Sequence, residues 1–566
     1  MEEMKMKNIY IQYVVLASAV LLSAGCIKES LPQGSVQTQE QVSGSESALK
    51  AMANAIPASM MTSNVLGWAS SSMYGDHTDF GIGAIHLRTD FMLEDMVTSG
   101  DNPYYNRFYA YIMNRSQGER YIYCAYFWQC YYKWIKAAND IISLVNPETA
   151  TPEAVQYLGQ AYAYRAMCYL DLARLYEPKE NAYTDVSSIL GLTVPIVTEG
   201  TGEEQAKNNP RASREQMYEF IMSDLSTAED LLDPAVRNYT LPTLAAVYGL
   251  YARAWLEKAY WSEDAEAFAN AAEYARKAIS ASGRTPLTQE QWEDPVNGFN
   301  NGAASDSWIW GLTTSSENTI NIVTYTAHVS SEGTWGYAPL SQICASRRFY
   351  DSIAKGDFRK HSWLDPQYIA APEDASPYDY RFSGTDADKV NFLKGTEMNP
   401  PAVAYQNIKF RPYQGECSDY ATGNCADHPL MRVEEMHFIE MEAVAHSDVA
   451  AAKALLEKFM DTRVTDGSYV CAASDLDAFL DEMLFQKRVE FWGEGVVFYD
   501  YKRLGKGITR GYPGTNESSV YAFNSDGRSP QWNIVVTNGE FQYNTGIDTS
   551  TNNPDPSGKL ILWNGQ

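Results

Sequence analysis

The stretch LGQAYAYRAMCYLDLARLY, residues 158–176, makes up most of the predicted helix that decides the fold. Thr151, Pro152 and Glu153 stand ahead of it as a cap, a first-turn proline and an acid, which together favour the start of a helix. The preceding residues 119–145 repeat aromatic side chains at three- and four-residue spacing, which predicts an amphipathic helix. Two long helices are therefore expected one after the other.

Helical patterns continue in two blocks of the chain. Ser213 and Gln216 form a capping box that opens a helix ending near Leu232. Further helices are predicted over residues 243–260, 264–281, 430–446, 448–462 and 474–492. Helix pairs of about 35 to 45 residues stacked side by side are typical of tetratricopeptide-like repeats. We therefore predict a mainly α fold, with a tetratricopeptide-like helical repeat scaffold at about 119–282 and 430–492.

The remaining parts of the chain have a different composition. They are rich in Gly, Pro, Asn, Tyr and Trp and show no sustained helical period. Loops of this length inside a folded protein are usually functional. The long irregular, aromatic-rich loops at about 74–110, 283–428 and 505–566 are therefore predicted to face a ligand.

The N-terminus has the pattern of a bacterial lipoprotein. Lys5 and Lys7 precede a mostly apolar run, residues 9–22, that is short for a membrane span, and small residues then lead to Cys26. Residues 1–25 are predicted to be a signal peptide and Cys26 the lipidated residue. An ordinary secretory signal, in which Cys26 is incidental, is the alternative.

The domain organisation follows from the composition after the signal peptide. Residues 26–46 are Gln-, Ser- and Gly-rich with few large apolar side chains, and are predicted to be a flexible tether. A single domain over residues 47–566 is expected after it. The net charge of −27 disfavours nucleic acid as a partner, because counterion release would not help binding.

The spacing and the sequence neighbours of the cysteines indicate their roles. None has CxxC spacing, so structural zinc is not expected. Cys417 and Cys425 lie eight apart in a polar segment, where they either close a small loop disulfide or remain thiols. Cys124, Cys168 and Cys344 lie among bulky apolar residues and are predicted to be buried thiols.

Several motifs in a fixed order resemble one family. After residues 158–176, they are GLTVPI (191–196), NPRAS (209–213), RFYDSI (348–353) with GDFRK (356–360), LMRVEEM (430–436) with EMEA (440–443), and KRVEFWGEG (487–495) with YDYKR (499–503). Together they resemble the SusD/RagB family of outer-membrane nutrient-binding lipoproteins. The resemblance covers about residues 120–505 and the lipoprotein start.

The resemblance implies a function and a partner. It implies a lipid-anchored, outward-facing protein of the outer membrane that caps a SusC-like TonB-dependent barrel transporter. Such a protein binds a glycan or, in some relatives, a peptide, and delivers it to the transporter without catalysis. The motifs are structural in character, so the resemblance carries over no ligand-binding residue.

The predicted ligand-binding residues are aromatic and polar side chains in the loops. Flat rings in turn-rich segments can stack on the apolar face of a sugar, and neighbouring amide or guanidinium groups can bind its hydroxyls. The aromatic candidates are Trp335, Tyr337, Tyr104 and Tyr105, and the polar candidates are Asn300, Asn301 and Arg347. Trp308 and Trp310 alternate on a predicted short strand and are assigned to the core.

An enzyme is the alternative in another class. A surface glycan hydrolase needs a pair of carboxylates at a fixed separation. The sequence has 71 Asp and Glu, but abundant carboxylates mostly lie on solvated faces, and Glu434 and Glu435 are assigned to the polar side of their helix. GxSxG, HExxH and P-loop patterns are absent. No catalytic residue is therefore predicted.

Metal and cofactor sites are not predicted either. Asp76, His77, Asp79 and His86 could supply ligands, but two histidines nine apart without a third are more typical of structural hydrogen bonding. The segment Asp386-Ala-Asp388 with Asn391 lacks the twelve-residue calcium pattern, so structural calcium stays an unsupported alternative. The sequence does not choose between a glycan and a peptide ligand.

Overall fold

The structure, a computed structural model, describes most but not all of the chain. The described residues are 45–62, 76–98, 116–297, 299–303, 305–316, 322–370 and 384–565. They belong to two units, one ending at Leu49 and one beginning at Lys50, and the second is described below. The predicted signal peptide, Cys26, the tether up to residue 44, Tyr104 and Tyr105 lie outside the described residues. The predicted domain boundaries stay a prediction.

Helices are the dominant element. The α-helices are α1 Glu46–Met61, α2 Ile82–Phe91, α3 Ile122–Leu144, α4 Pro152–Tyr176, α5 Glu203–Ala206, α6 Arg214–Leu231, α7 Leu244–Ser262, α8 Ala265–Ser282, α9 Gln289–Glu293, α10 Tyr325–Val329, α11 Arg347–Ser352, α12 Pro366–Ala370, α13 Asp386–Lys394, α14 Tyr420–Gly423, α15 Val433–Ala445, α16 Val449–Met460, α17 Leu476–Phe491, α18 Val497–Leu504 and α19 Asn538–Tyr543. Short 3-10 turns lie at Asp76–Thr78, Phe358–Ser362, Tyr413–Gly415 and Pro530–Trp532.

The predicted helix starts are confirmed in α4 and α6. The Thr151 hydroxyl accepts a hydrogen bond from the Ala154 N–H at 3.3 Å. Ser213 and Gln216 form the reciprocal capping box, with bonds of 3.2 and 3.0 Å. Each side chain satisfies a backbone donor that the first helical turn leaves unpaired.

The long helices pack against one another, mostly with helices close to them in sequence. Helix α3 contacts α4, α4 contacts α6, α7 contacts α8, and α15 contacts both α8 and α16. Ala271, Ala275 and Ala278 of α8 are completely buried, which lets its neighbours approach closely. The mainly helical, tetratricopeptide-like scaffold predicted from the sequence is confirmed.

Within the described ranges, three two-stranded antiparallel sheets join distant segments. The strands are β1 Met96–Thr98, β2 Trp308–Leu312, β3 Ile343–Ala345, β4 His428–Arg432, β5 Phe523–Asn524 and β6 Ile561–Leu562. They pair as β1 with β3, β2 with β4, and β5 with β6. Trp308 and Trp310 are fully buried in β2, as predicted.

The second helical block begins later than predicted. Residues 430–432, expected in the helix, belong to β4, and α15 starts at Val433. The reason is the pairing with β2, in which Arg432 lies opposite Trp308 and Met431 opposite Trp310. Pairing with a strand about 120 residues earlier in the chain thus overrides the local helical pattern.

A group of eight buried charged residues, here called the ion cluster, lies beneath α15 and α17. Its members are Asp357, Arg359, Lys409, Arg432, Glu434, Arg463, Glu490 and Glu494, all of them buried. Glu490 contacts three guanidiniums at 2.8 to 3.1 Å, and Glu494 contacts Arg432 and Lys409 at 2.8 Å. Arg359 also pairs with Asp357 at 2.7 Å, and Arg432 with Glu434 at 2.9 Å. Four cations therefore balance four carboxylates.

The pKa values of the cluster reflect this balance. Burial alone would raise the pKa of Glu490, but Arg463, Arg432 and Arg359 outweigh it and hold that pKa below its usual value. Burial lowers the pKa of Lys409 to about 8, against the opposing attraction of Glu494. Glu490 is therefore ionised because its neighbours compensate for the lost water.

The assignment of Glu434 and Glu435 to a solvated helix face is wrong. Glu434 is completely buried and belongs to the ion cluster. Glu435 is also buried and pairs with Arg253 of α7 at 2.6 Å. Both carboxylates point into the interior because buried arginines from other segments meet them there.

The turn after α17 places Glu494 in the ion cluster. Gly493 and Gly495, on either side of it, have φ of +84° and +70°, a conformation that favours glycine. A Cβ on Gly495 would lie 2.5 Å from the Cβ of His86. The GEG motif is thus explained by backbone geometry.

Among the described residues, no helix combines the length and apolar character that a membrane crossing requires.

Candidate functional site

A cavity of about 200 Å³, here called the loop cavity, lies among the predicted ligand-facing loops. One wall is formed by residues 331–334 with Pro339 and Gln342, between α10 and β3. The opposite wall is formed by α13 and the loop after it, with Asp388, Asn391, Phe392 and residues 396–402. Both walls belong to the irregular region 283–428 that the sequence singled out.

The base of the α13 wall is held by a small apolar core. Leu364, Leu393, Ala402 and Ile408 are buried together, and Phe392 packs against them. Helix α13 begins with a capping box in which the Thr385 N–H donates to the Asp388 carboxylate at 2.8 Å. Asp388 and Asn391, weighed as calcium ligands, therefore lie on a capped helix and line the loop cavity.

The polar side chains of the cavity carry amides, hydroxyls and the carboxylates of Glu332 and Asp388. Gln342 donates through Nε2 to the Pro401 carbonyl at 2.7 Å. The Asn391 side chain is exposed and forms no hydrogen bond with another described residue. Glu332 is buried and pairs with Arg411 at 3.2 Å. Such groups can donate to or accept from a sugar hydroxyl.

The two aromatic residues predicted in this segment differ in exposure. Trp335 is half-buried, and its indole lies against Gly333, a cavity residue, and against Gly423. Tyr337 is buried, and its ring stacks on His328 with centroids 4.3 Å apart. The Tyr337 hydroxyl lies 2.5 Å from His77 Nδ1. The expectation of an exposed ring is therefore wrong for Tyr337, because histidines from two other segments enclose it.

The three polar residues predicted to bind a ligand also differ in their environments. Asn300 is buried, and its amide donates to the Arg411 carbonyl at 2.8 Å and accepts from the Arg411 N–H at 3.1 Å. Asn300 therefore fixes a loop and presents no amide to a ligand. Asn301 is half-buried, and its side-chain oxygen has no hydrogen-bond partner among the described residues. Arg347 is exposed and lies 3.4 Å from Asp351. Neither Asn301 nor Arg347 lines the loop cavity.

The cysteines next to Trp335 do not form the disulfide that was one of two alternatives. Cys417 and Cys425 are both buried and both carry thiols. The Cys425 thiol donates to the Ala421 carbonyl at 3.1 Å. Cys124, Cys168 and Cys344 are buried thiols, as predicted.

The histidines weighed as metal ligands contact other side chains. His86 Nδ1 lies 2.8 Å from His428 Nε2, and both rings are enclosed. Burial lowers the pKa of His86 to about 3, so the ring is neutral. The described residues contain no group of three or more His, Cys, Asp or Glu arranged for a metal ion.

Sequence reasoning missed several residues of the loop cavity. Gln342, Thr396 and Asn399 line it but belong to no motif. The polar, turn-rich composition of the region was the only sequence feature that pointed to these residues. Spatial proximity of two loops about 55 residues apart has no local sequence pattern.

A family model matches part of the chain. Residues 84–256 match SusD-like_3, described as "Starch-binding associating with outer membrane". These residues run from α2 into α7 and include the stretch 158–176. No curated protein sequence matches the chain.

Solved structures match over most of the chain. A SusD-like carbohydrate binding protein from Bacteroides vulgatus has a TM-score of 0.65 at 20% identity, covering 89% of this chain and 97% of that one. Surface glycan-binding protein A from Bacteroides thetaiotaomicron, in complex with laminarihexaose, has a TM-score of 0.64 at 16% identity, with coverage of 90% and 99%. A laminarin binding SusD-like protein has a TM-score of 0.59 at 15% identity, with coverage of 90% and 98%. The protein therefore has the SusD-like fold, which confirms the resemblance to the SusD/RagB family found in its motifs.

Proposed function

We propose that the protein captures a glycan at the loop cavity, without catalysis, and delivers it to a SusC-like TonB-dependent transporter. The lipoprotein pattern ending at Cys26 supports anchoring in the outer membrane, facing outward. The observation that carries the proposal is a cavity of about 200 Å³ with an indole beside one wall and amide groups on both, within a SusD-like fold. A flat ring beside hydrogen-bonding amides suits a sugar, which has an apolar face and a polar edge.

The carboxylates of the cavity support binding over hydrolysis. Glu332 is held by Arg411, and the Asp388 carboxylate accepts hydrogen bonds from the N–H and the hydroxyl of Thr385 at the start of its own helix. A glycosidase needs two carboxyl groups placed to act on one bond, one of them with a raised pKa. Both carboxylates here have structural partners instead.

The test is a binding titration with a paired assay for cleavage. The purified protein is titrated with neutral oligosaccharides, among them laminarihexaose, and each mixture is checked for products by chromatography. Trp335→Ala is expected to weaken binding of the recognised glycan about tenfold, because it removes the ring beside the cavity. Tyr543→Ala, which removes an exposed ring outside the cavity, is the matched control and should bind as wild type does.

Three results would contradict the proposal. Equal affinity of Trp335→Ala and wild type for every bound glycan would place the site elsewhere. Product release would support a surface hydrolase. Binding of peptides with no binding of glycans would make the protein a peptide-capturing relative.

A further inference from the structure

A second cavity, here called the arginine cavity, has a volume of about 350 Å³. It lies where the loop after α6 meets the start of α7 and the end of α8. Arg237, Asn238 and Tyr239 contribute one side, and Arg284 and Thr285 another. The volume falls within the range of small-ligand sites.

The two arginines of this cavity differ from most others in the chain. Neither forms an ion pair with a carboxylate of a described residue. Arg284 donates from Nη1 to the Ser305 carbonyl at 3.1 Å, and Arg237 donates to carbonyls of its own loop. An arginine carries five N–H donors and a permanent charge. These guanidiniums therefore keep both charge and donors for another partner.

The carboxylates near the cavity, Asp306 and Asp427, accept hydrogen bonds from neutral groups and form an ion pair with neither arginine. Asp306, which lines the cavity, accepts from Gln291 Nε2 at 2.5 Å. Asp427 accepts from the Gly302 N–H at 3.1 Å and from the Tyr239 hydroxyl at 3.4 Å. Burial, followed by the Asp427 charge, raises the pKa of Tyr239 to about 12, so its hydroxyl stays protonated.

Besides its two charged arginines, the cavity has neutral groups that can contact the ring and the hydroxyls of a sugar. The Asn238 side chain accepts through Oδ1 from the Thr240 N–H and hydroxyl, which leaves its amide N–H₂ at the cavity. The half-buried Tyr239 ring packs edge-on against Trp308, with centroids 6.3 Å apart. An aromatic ring, an amide and two guanidiniums therefore lie around one space.

We propose that the arginine cavity is a second saccharide subsite, which binds an acidic sugar through its carboxylate. Arg237 and Arg284 would contact the carboxylate, because a guanidinium matches its geometry with two parallel N–H donors. Asn238, Thr285 and Tyr239 would contact the ring and its hydroxyls. This inference rests on the proposed glycan-binding function and adds the charge class of the glycan. In a chain of net charge −27, such a local cationic site is what makes an anionic ligand feasible.

The test compares two trisaccharides of equal size by calorimetry with the purified full-length protein. A trimer of galacturonic acid is expected to bind at least about tenfold more tightly than the neutral galactose trimer. Arg237→Gln with Arg284→Gln should remove this preference and leave binding of the neutral trimer unchanged. Arg237→Lys with Arg284→Lys, which keeps both charges but not the planar fork, should give an intermediate affinity.

The control variants distinguish an effect at these two arginines from a general loss of positive charge, from a change at another site and from unfolding. Arg120→Gln with Lys136→Gln removes two cations from exposed positions and should bind the acidic trimer as wild type does. Tyr543→Ala, which removes an exposed ring outside both cavities, should likewise keep the preference for the acidic trimer. Thermal melting of each variant shows whether it is folded.

Defined outcomes overturn the inference. It fails if the acidic trimer binds no more tightly than the neutral one, if the glutamine pair binds it as wild type does, or if triglutamate binds as tightly as the acidic trimer. Neutral glycan binding without acidic preference overturns this subsite alone. Failure of every glycan, acidic and neutral, to bind overturns the proposed function itself.

Discussion

The ion cluster and the loop cavity use polar side chains in opposite ways. In the ion cluster, Arg432 and Glu490 are completely buried, and each has several charged partners within 3.1 Å. In the loop cavity, the Asn391 side chain is exposed and forms no hydrogen bond with another described residue. Family-like motifs supply most of the ion cluster, whereas the cavity residues fall in no motif.

This difference indicates what the motifs encode. A buried charge without a partner costs several kcal/mol, so each member of the ion cluster constrains the others. A cavity residue whose amide faces solvent has no such constraint. The motifs therefore describe how the scaffold is assembled, and none of their residues lines the loop cavity.

The largest loss of folding stability is expected when the charge of Glu490 is removed. Glu490→Gln leaves Arg359, Arg432 and Arg463 with one carboxylate fewer in a dry environment. The free energy of unfolding should fall by about 3–5 kcal/mol, measured by urea denaturation. Glu273→Gln, which affects an exposed pair with Lys277, should leave the free energy of unfolding nearly unchanged. Equal effects of the two variants would contradict a structural role of the ion cluster.

A slightly smaller loss of folding stability is expected from a substitution in the turn that carries Glu494. Gly495→Ala forces a side chain into a positive φ and within 2.5 Å of His86. We expect a loss of about 2–4 kcal/mol from strain and overpacking together. Gly202→Ala, where a Cβ meets no atom within 4 Å, should be close to neutral. A neutral Gly495→Ala would show that this turn adjusts easily.

A pH-dependent effect is expected from Asp90, whose carboxylate accepts from the Gly495 N–H at 3.0 Å. Burial raises the pKa of Asp90 to about 8, against the opposing effect of that hydrogen bond. Between pH 4 and pH 8 the folded state therefore holds a proton that the unfolded state releases, so the free energy of unfolding falls as pH rises.

Asp90→Asn removes that titration. The variant should gain stability relative to wild type as pH rises, with a difference about 3–4 kcal/mol larger at pH 8 than at pH 5. Melting temperatures of both proteins at the two pH values check this. A constant difference would mean that Asp90 ionises normally in the folded protein.

The smallest effect on stability is expected in the loop cavity. Asn391→Ala should change the free energy of unfolding by less than about 0.5 kcal/mol, because its side chain has no described partner. The affinity for the bound glycan should fall about three- to tenfold, measured by calorimetry. Gln205→Ala, another exposed amide, should change neither quantity. A large loss of stability in Asn391→Ala would break the contrast between the two regions.

The helices of the scaffold were predictable because their patterns are local. The capping box at Ser213 and the predicted helix 264–281, observed as Ala265–Ser282, needed only neighbouring residues. The start of α15 was not predictable, because residues 430–432 pair with β2. Glu434 looked solvated since its buried partner Arg463 lies elsewhere in the chain.

The candidate site was predictable only as a region. Trp335 lies beside the loop cavity as its turn-rich segment indicated, but the enclosure of Tyr337 depends on His77 and His328. Two rings two residues apart in one loop thus have different environments. Composition locates such a loop, and only the packing of other segments decides which of its rings is exposed.

The ion cluster also limits the order in which the chain can mature. Its charges come from segments at 357–359, 409, 432–434, 463 and 490–494. A nascent chain that still lacks residues 490–494 has four of the cations but only two of the carboxylates. Burial of the cluster in such an intermediate would leave two positive charges without a carboxylate, which is costly. We therefore expect this part of the interior to close only after the C-terminal segment has been synthesised.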